Sequence, residues 1–370
     1  MKPVLCSILA TLASALAAAP VPAKHVIVYH EPGRFGGWPA NNGVWNWGDE
    51  ILVGFIRAWL QEKADSHSVD RSRPGAVVFA RSRDGGETWR MEEPAAPLHV
   101  ATAENPAPSP GEIDFSHPDF ALRVRNNGFH TSFDRGRTWR GPFALPDFGV
   151  GELTARTDYL VQSRDECLLF LSARDAQVQV AGEELQDRAF CARTRDGGRT
   201  FEFVGWMSDE PLTVRSVMPS SVRAADGSLV TTLRRRFDLP TGYRNDMNWI
   251  DAYGSTDEGR NWNFLARLGY TDSTLHNGNP SSLVRLPDDR LAAAWGVRSP
   301  PFGIHARVST DNGRTWGPEL VLRDDARKYD IGYCRSIVRA DGRIVTLYYY
   351  TTVQRPENHI AATIWSPPAH

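Results

Sequence analysis

The chain lacks the spacings that hold a metal or a nucleotide. It has no HExxH, no paired CxxC, no calcium-loop pattern and no glycine-rich loop leading from a strand into a helix, so neither metal nor cofactor is expected. It also lacks an excess of one charge: 42 basic and 44 acidic side chains in 370 residues give a net charge of −2, which points to neither nucleic acid nor an acidic membrane surface. Cysteine is scarce. Of the four, Cys6 lies in an N-terminal apolar run, and Cys167, Cys191 and Cys334 form an odd set that excludes a complete disulfide framework. Cys167 and Cys191 flank an expected hairpin and read as buried thiols. The apolar run, Val4 to Ala18, is shorter than the roughly 20 residues a membrane span needs. It follows a lysine and ends in small residues suited to cleavage near Ala19 or Ala23, so residues 1–23 read as a secretory signal peptide and the mature chain, from 24 to 370, as secreted or periplasmic.

What the sequence does have is 31 Gly, 25 Pro and 12 Trp, a mixture that favours many short strands and tight turns over long helices. One turn recurs five times: SRDGGETW (82–89), SFDRGRTW (132–139), TRDGGRTF (194–201), STDEGRNW (255–262) and STDNGRTW (309–316). The aspartates Asp84, Asp134, Asp196, Asp257 and Asp311 are 50 to 62 residues apart, the length of a four-stranded propeller blade. In such an Asp box the carboxylate takes backbone N–H groups as an Asx turn does, glycine supplies a positive φ, and the closing aromatic packs between blades. Five equivalent copies around a ring cannot share one pocket, so the boxes are structural. After the last box come RSIVRA, RIVTLYYY and HIAATIW, three strands without a fourth, while HVIVYH at residues 25–30 is a lone strand. Joined, they make a sixth blade. The expected fold is therefore all-β, a single six-bladed β-propeller with Asp-box turns between strands three and four of five blades.

Strands in a blade run inner to outer and antiparallel. The start of strand one and the end of strand two therefore share one face, and the Asp boxes lie on the other. Applied to the sequence, this rule gathers Arg34 ahead of blade one, Arg234 and Arg298 at the ends of second strands, and Tyr333 with Arg335 opening blade six. Loops add His67 and Asp70 from blade one, His117 from blade two, and Arg156 and Asp158 from blade three. Several guanidiniums near one axis predict an anionic ligand, because the arginine fork matches a carboxylate.

The repeated boxes and these placements resemble the sialidase superfamily over nearly the whole mature chain. The resemblance implies three arginines on the substrate carboxylate, matched here by Arg34, Arg234 and Arg298, a nucleophilic tyrosine, Tyr333, and an acid/base aspartate, Asp70. Two departures stand out: the partner glutamate of the tyrosine is replaced by Met218, and the glutamate closing the family's LYE segment by Tyr349. An unassisted phenol is a poor nucleophile, so Asp158, Asp330 or a histidine must stand in. The leading expectation is an exo-acting glycoside hydrolase that removes a terminal acidic sugar from a glycan, with sialic acid the default. Two alternatives remain: a uronate-directed lyase or unusual glycosidase using His67, His117 and Tyr333 as acid and base, and a propeller that binds glycans without turnover.

Overall fold

A computed structural model describes residues 19–64, 66–175, 187–208, 214–237, 247–272 and 278–369, so most of the expected leader lies outside the described residues. The strands form six sheets, antiparallel except where Ala19–Pro20 pairs parallel to Leu320–Arg323, and among the described residues the only helix is the single turn Pro39–Asn42. Blade one places Arg34–Gly37 and Val44–Trp47 end to end in the inner position, against Glu50–Trp59, with Ala76–Ser82 and Arg90–Glu92 outside them. The helical turn between the two inner pieces breaks what would otherwise be one strand. Blade two has three regular strands, Ala121–Arg125, Gly128–Ser132 and Arg140–Ala144. Its fourth is replaced by irregular chain: the Ala103 amide donates to Asn127 Oδ1 at 2.8 Å and Val100 O accepts from Arg125 Nε at 2.9 Å. Blade three is again split, with Gly151–Leu153 and Tyr159–Val161 both on Cys167–Asp175. Blades four and five start from the inner strands Val214–Arg223 and Ser281–Arg285.

Blade six is closed by both ends of the chain, as the lone N-terminal strand predicts. Gly332–Val338, Ile344–Tyr350 and His359–Trp365 run outward, and Ala23–Tyr29 completes the sheet, with Lys24 opposite Ile364. This closure ties down the two termini and covers an edge that would otherwise be open to strand addition.

All five boxes have the expected geometry. In the first, Asp84 Oδ1 accepts the Glu87 and Thr88 amides at 3.1 and 2.9 Å, and Ser82 Oγ accepts the Gly86 amide at 2.8 Å. The bond from the amide four residues on recurs at Asp134, Asp196, Asp257 and Asp311, as does that from the glycine amide to the Ser or Thr hydroxyl. The glycine is required by space as well as by φ: at Gly136 a Cβ would sit 2.3 Å from Leu52 of blade one. The box tryptophan then bridges blades, with Trp139 stacked on Phe79 at 5.6 Å between ring centroids. Cys167 pairs with Thr194 and Cys191 with Phe170, so the two thiols do not face each other across their hairpin, and both are buried and free.

Candidate active centre on the ring axis

Where Gly332–Val338 opens, the register with Ile344–Tyr350 slips between Gly332 and Arg335, and Tyr333 adopts φ 54. A left-handed tyrosine costs about 1–3 kcal/mol and persists only where its surroundings enforce it. Asn279 of blade five does so. Its Oδ1 accepts the Tyr333 amide at 3.1 Å, and it lies so close to Gly332 that a Cβ there would meet it at 2.4 Å. Met218 occupies the matching place in blade four, at φ 57 beside its own register slip, and packs in the same buried cluster as Tyr333 and Tyr349. The position expected to lack the partner glutamate is thus filled by a thioether.

Other polar groups lie beside the phenol. His67 Nδ1 lies 2.7 Å from Asp330 Oδ1, and its ring meets the Tyr333 ring edge-on at 5.9 Å between centroids. Asp330 is fully buried and also accepts the Tyr349 hydroxyl at 2.6 Å and the Ser68 amide at 2.8 Å. Burial alone would raise its pKa, but His67, Arg298 and the Ser68 amide hold the carboxyl far below the usual range, so it stays ionised. Burial pushes the imidazole below its ordinary 6.5, opposed by Asp330 and reinforced by Arg298 and Arg234. A neutral ring whose Nδ1–H points at Asp330 leaves Nε2 with a lone pair, which is the form of a general base. Tyr349, in place of the second expected glutamate, links this pair to the cations: its hydroxyl accepts from Arg298 Nη2 at 2.6 Å.

Around the phenol stand Arg234, Arg298, Arg156 and Arg215. Burial would raise the Tyr333 pKa, but these four guanidiniums outweigh it and leave the phenol below its ordinary value near 10. Arg298 is 5.7 Å from the ring centroid and donates to Ile331 O. Arg156 reaches across from blade three to Asn41 of blade one at 2.9 Å and Asn126 of blade two at 2.8 Å. Burial lowers Arg156 and Arg234 to about 10, which keeps both charged at neutral pH. Arg215 is paired with Asp187. Its place here was not read from the sequence, although it opens the inner strand of blade four as Tyr333 opens that of blade six.

Of the residues expected here, the structure brings together Tyr333, His67, Arg234, Arg298 and Arg156. It places the others elsewhere. Asp70 accepts the amide and hydroxyl of Ser72 at 2.9 and 2.6 Å in a surface Asx turn. The Arg34 guanidinium lies 4.0 Å over Trp59, whose ring also carries Arg73, and so turns away from the phenol. His117 caps a turn by accepting the Asp119 amide at 3.2 Å and packs on Phe133 of the blade-two box, on the opposite face. Arg335 and Asp158 lie further down the axis, in a cavity of about 310 Å³ at the other mouth of the ring. Arg335 leaves blade six two residues after Tyr333 and crosses to blade three, donating to Thr157 O at 2.8 Å, so it divides the channel into two ends.

Among the described residues, no group of three His, Cys, Asp or Glu could hold a metal, and no helix is long and apolar enough to cross a membrane. Among solved structures, a Dyadobacter fermentans protein of unknown function aligns at 21% identity and TM-score 0.67, over 93% of this chain and 98% of that one. A Penicillium chrysogenum α-L-arabinanase complexed with arabinobiose aligns at 12% identity and TM-score 0.61, over 93% and 98%. The NanB sialidase of Streptococcus pneumoniae aligns at 11% identity and TM-score 0.57, over 92% of this chain and 70% of that one. At these identities the likeness is one of fold. No curated protein matches the sequence. Residues 108–346, which run from blade two into the second strand of blade six and carry four of the five boxes, match the BNR repeat-like domain, and the chain belongs to that family.

Proposed function

We propose that the chain is an exported glycoside hydrolase that acts on an acidic terminal sugar, with a sialic acid the first candidate. The observation that carries this reading is one buried phenol, Tyr333, set among four guanidiniums and edge-on to a histidine oriented by a buried aspartate. Arg234 and Arg298 face the sugar carboxylate, with Arg156 at the side. His67 takes the phenolic proton at Nε2, Tyr333 Oη bonds to the anomeric carbon as the glycosidic bond breaks and the departing oxygen takes a proton from water, and a second water then displaces the phenolate, which regains its proton from His67. A phenol suits this task because a carboxylate nucleophile would repel the carboxylate beside the anomeric carbon. The arabinanase and sialidase that share the fold support a glycosidic substrate, and the N-terminal leader supports export.

A second reading, elimination on a uronate, is favoured by one observation: Asp70, the expected proton donor, sits in a surface turn. In elimination His67 removes the proton alpha to the carboxylate, the arginines stabilise the resulting anion, and the Tyr333 phenol protonates the departing oxygen. One experiment tests both. Sialosides and uronate-containing oligosaccharides are incubated with the protein and with Tyr333→Phe, and released sugar and ultraviolet absorbance are followed together. Release of saturated acidic sugar that Tyr333→Phe abolishes supports hydrolysis, whereas an absorbing unsaturated uronide supports elimination. Absence of both products, with binding intact, leaves a glycan-binding propeller.

A further inference from the structure

We propose that the cavity at the Asp-box end of the axis, below Arg335, is a second saccharide site that takes a neutral sugar. It is lined by residues along the inner strands and the turns that lead into them, with Asn46 and Trp47 of blade one, Thr157 and Asp158 of blade three, Ser282 of blade five and Arg335 of blade six on its wall. Its volume of about 310 Å³ is at the small end of ligand pockets.

Charge separates it from the centre above. Arg335 Nη1 lies 3.7 Å from Asp158 Oδ1 and donates to Ser220 Oγ at 3.1 Å, so its cation and the one carboxyl on the wall face each other. An anion gains little there, whereas a ligand carrying both donors and acceptors fits a wall of hydroxyls, amide and paired ions. Asp158 Oδ2 and Arg335 Nε are buried without a hydrogen-bond partner, an acceptor and a donor of the kind a sugar hydroxyl satisfies. Burial raises the Asp158 carboxyl to about 7, against the pull of Arg335 and of the Ser221 hydroxyl and amide, so near neutral pH it can donate as well as accept. Trp47 is only partly buried and supplies the apolar face on which a sugar ring stacks. Because Arg335 crosses the channel, the two sites are distinct, and the second does not depend on the chemistry proposed for the first.

The test is calorimetric titration of the full chain with neutral aldopentoses, aldohexoses and their short oligomers, with and without a saturating acidic sugar. The expected result is saturable binding that the acidic sugar leaves unchanged, that Arg234→Met retains, and that Trp47→Ala weakens about tenfold. Asp158→Asn, which keeps side-chain volume, gives a second reading should Trp47→Ala prove unfolded in a thermal melt, and it is expected to weaken binding as well. Absence of saturable binding by every neutral sugar overturns the proposal. So does binding that Arg234→Met abolishes while Trp47→Ala and Asp158→Asn retain it. Turnover of acidic substrates does not enter either outcome, so the two proposals fail separately.

Discussion

Asp330→Asn isolates the role of the buried carboxylate. Asp330 Oδ1 meets His67 Nδ1 at 2.7 Å and the Tyr349 hydroxyl at 2.6 Å, while Oδ2 accepts the Ser68 amide at 2.8 Å. The Ser68 amide is fixed in the chain and can only donate, so the single oxygen of an asparagine must stay on that side. Its NH2 then faces His67. The imidazole responds by turning Nδ1 into an acceptor and moving its proton to Nε2, which removes the lone pair needed by the base. In a Ser-His-Asp triad the same substitution lowers turnover about 10⁴-fold with the geometry intact, and a loss of about 10³- to 10⁴-fold in kcat with little change in KM is expected here. Stability should change by about 1–3 kcal/mol, since one charge-assisted bond is lost while the cost of burying a charge is relieved. The assay is kcat/KM for released acidic sugar from pH 4 to pH 9, beside urea unfolding. In the native chain activity should fall only below the ordinary histidine pKa of 6.5, because burial lowers His67 and protonation of the ring is what stops catalysis. A folded Asp330→Asn variant that keeps turnover within about threefold of the native rate would refute the assignment of His67 as the base.

Three further outcomes follow from the same geometry. Arg234→Met removes a buried guanidinium from the carboxylate side of the centre and should raise KM for an acidic sugar about 30-fold or more, while neutral-sugar binding persists; an unchanged KM contradicts the placement of the anion. Burial holds His99 and His359 at about 4 and His130 at about 3, so they are neutral in the fold, and only the unfolded chain takes up protons as pH falls below 6.5. Stability is therefore full above pH 6.5 and declines toward pH 4, which a lower urea midpoint at pH 4.5 than at pH 7 will show. Asp134→Ala frees the amides of Arg137 and Thr138 and should destabilise the fold by about 1–2 kcal/mol without altering KM, which thermal unfolding and steady-state kinetics check together.

The scaffold was legible because its determinants are local. An Asp box is a turn of eight residues whose aspartate and Ser or Thr side-chain bonds close within the motif, so five copies announce five hairpins before any contact between blades is known. The centre was legible in part. Connectivity tells which end of the ring a strand terminus occupies, and so it gathered Tyr333, Arg234, Arg298, Arg156 and His67. It is blind to depth along the axis: Arg335 is two residues past Tyr333 on one inner strand, which carries it to the far side of the channel. It is blind also to local breaks, as in blade one, where the turn Pro39–Asn42 splits the inner strand and Arg34 stacks on Trp59. Asp330 was one of several candidates to replace the missing glutamate. Only the structure shows its carboxylate against His67, because the contact joins residues 263 apart.

Soaking crystals of Tyr333→Phe with an acidic monosaccharide tests the central claim most directly, since the variant keeps every cation and loses the reactive hydroxyl. The carboxylate should lie between Arg234 and Arg298, with the sugar's anomeric carbon over the edge of the residue-333 ring and His67 Nε2 beside it. A sugar whose carboxylate meets none of these arginines, or density only in the cavity beyond Arg335, contradicts the account.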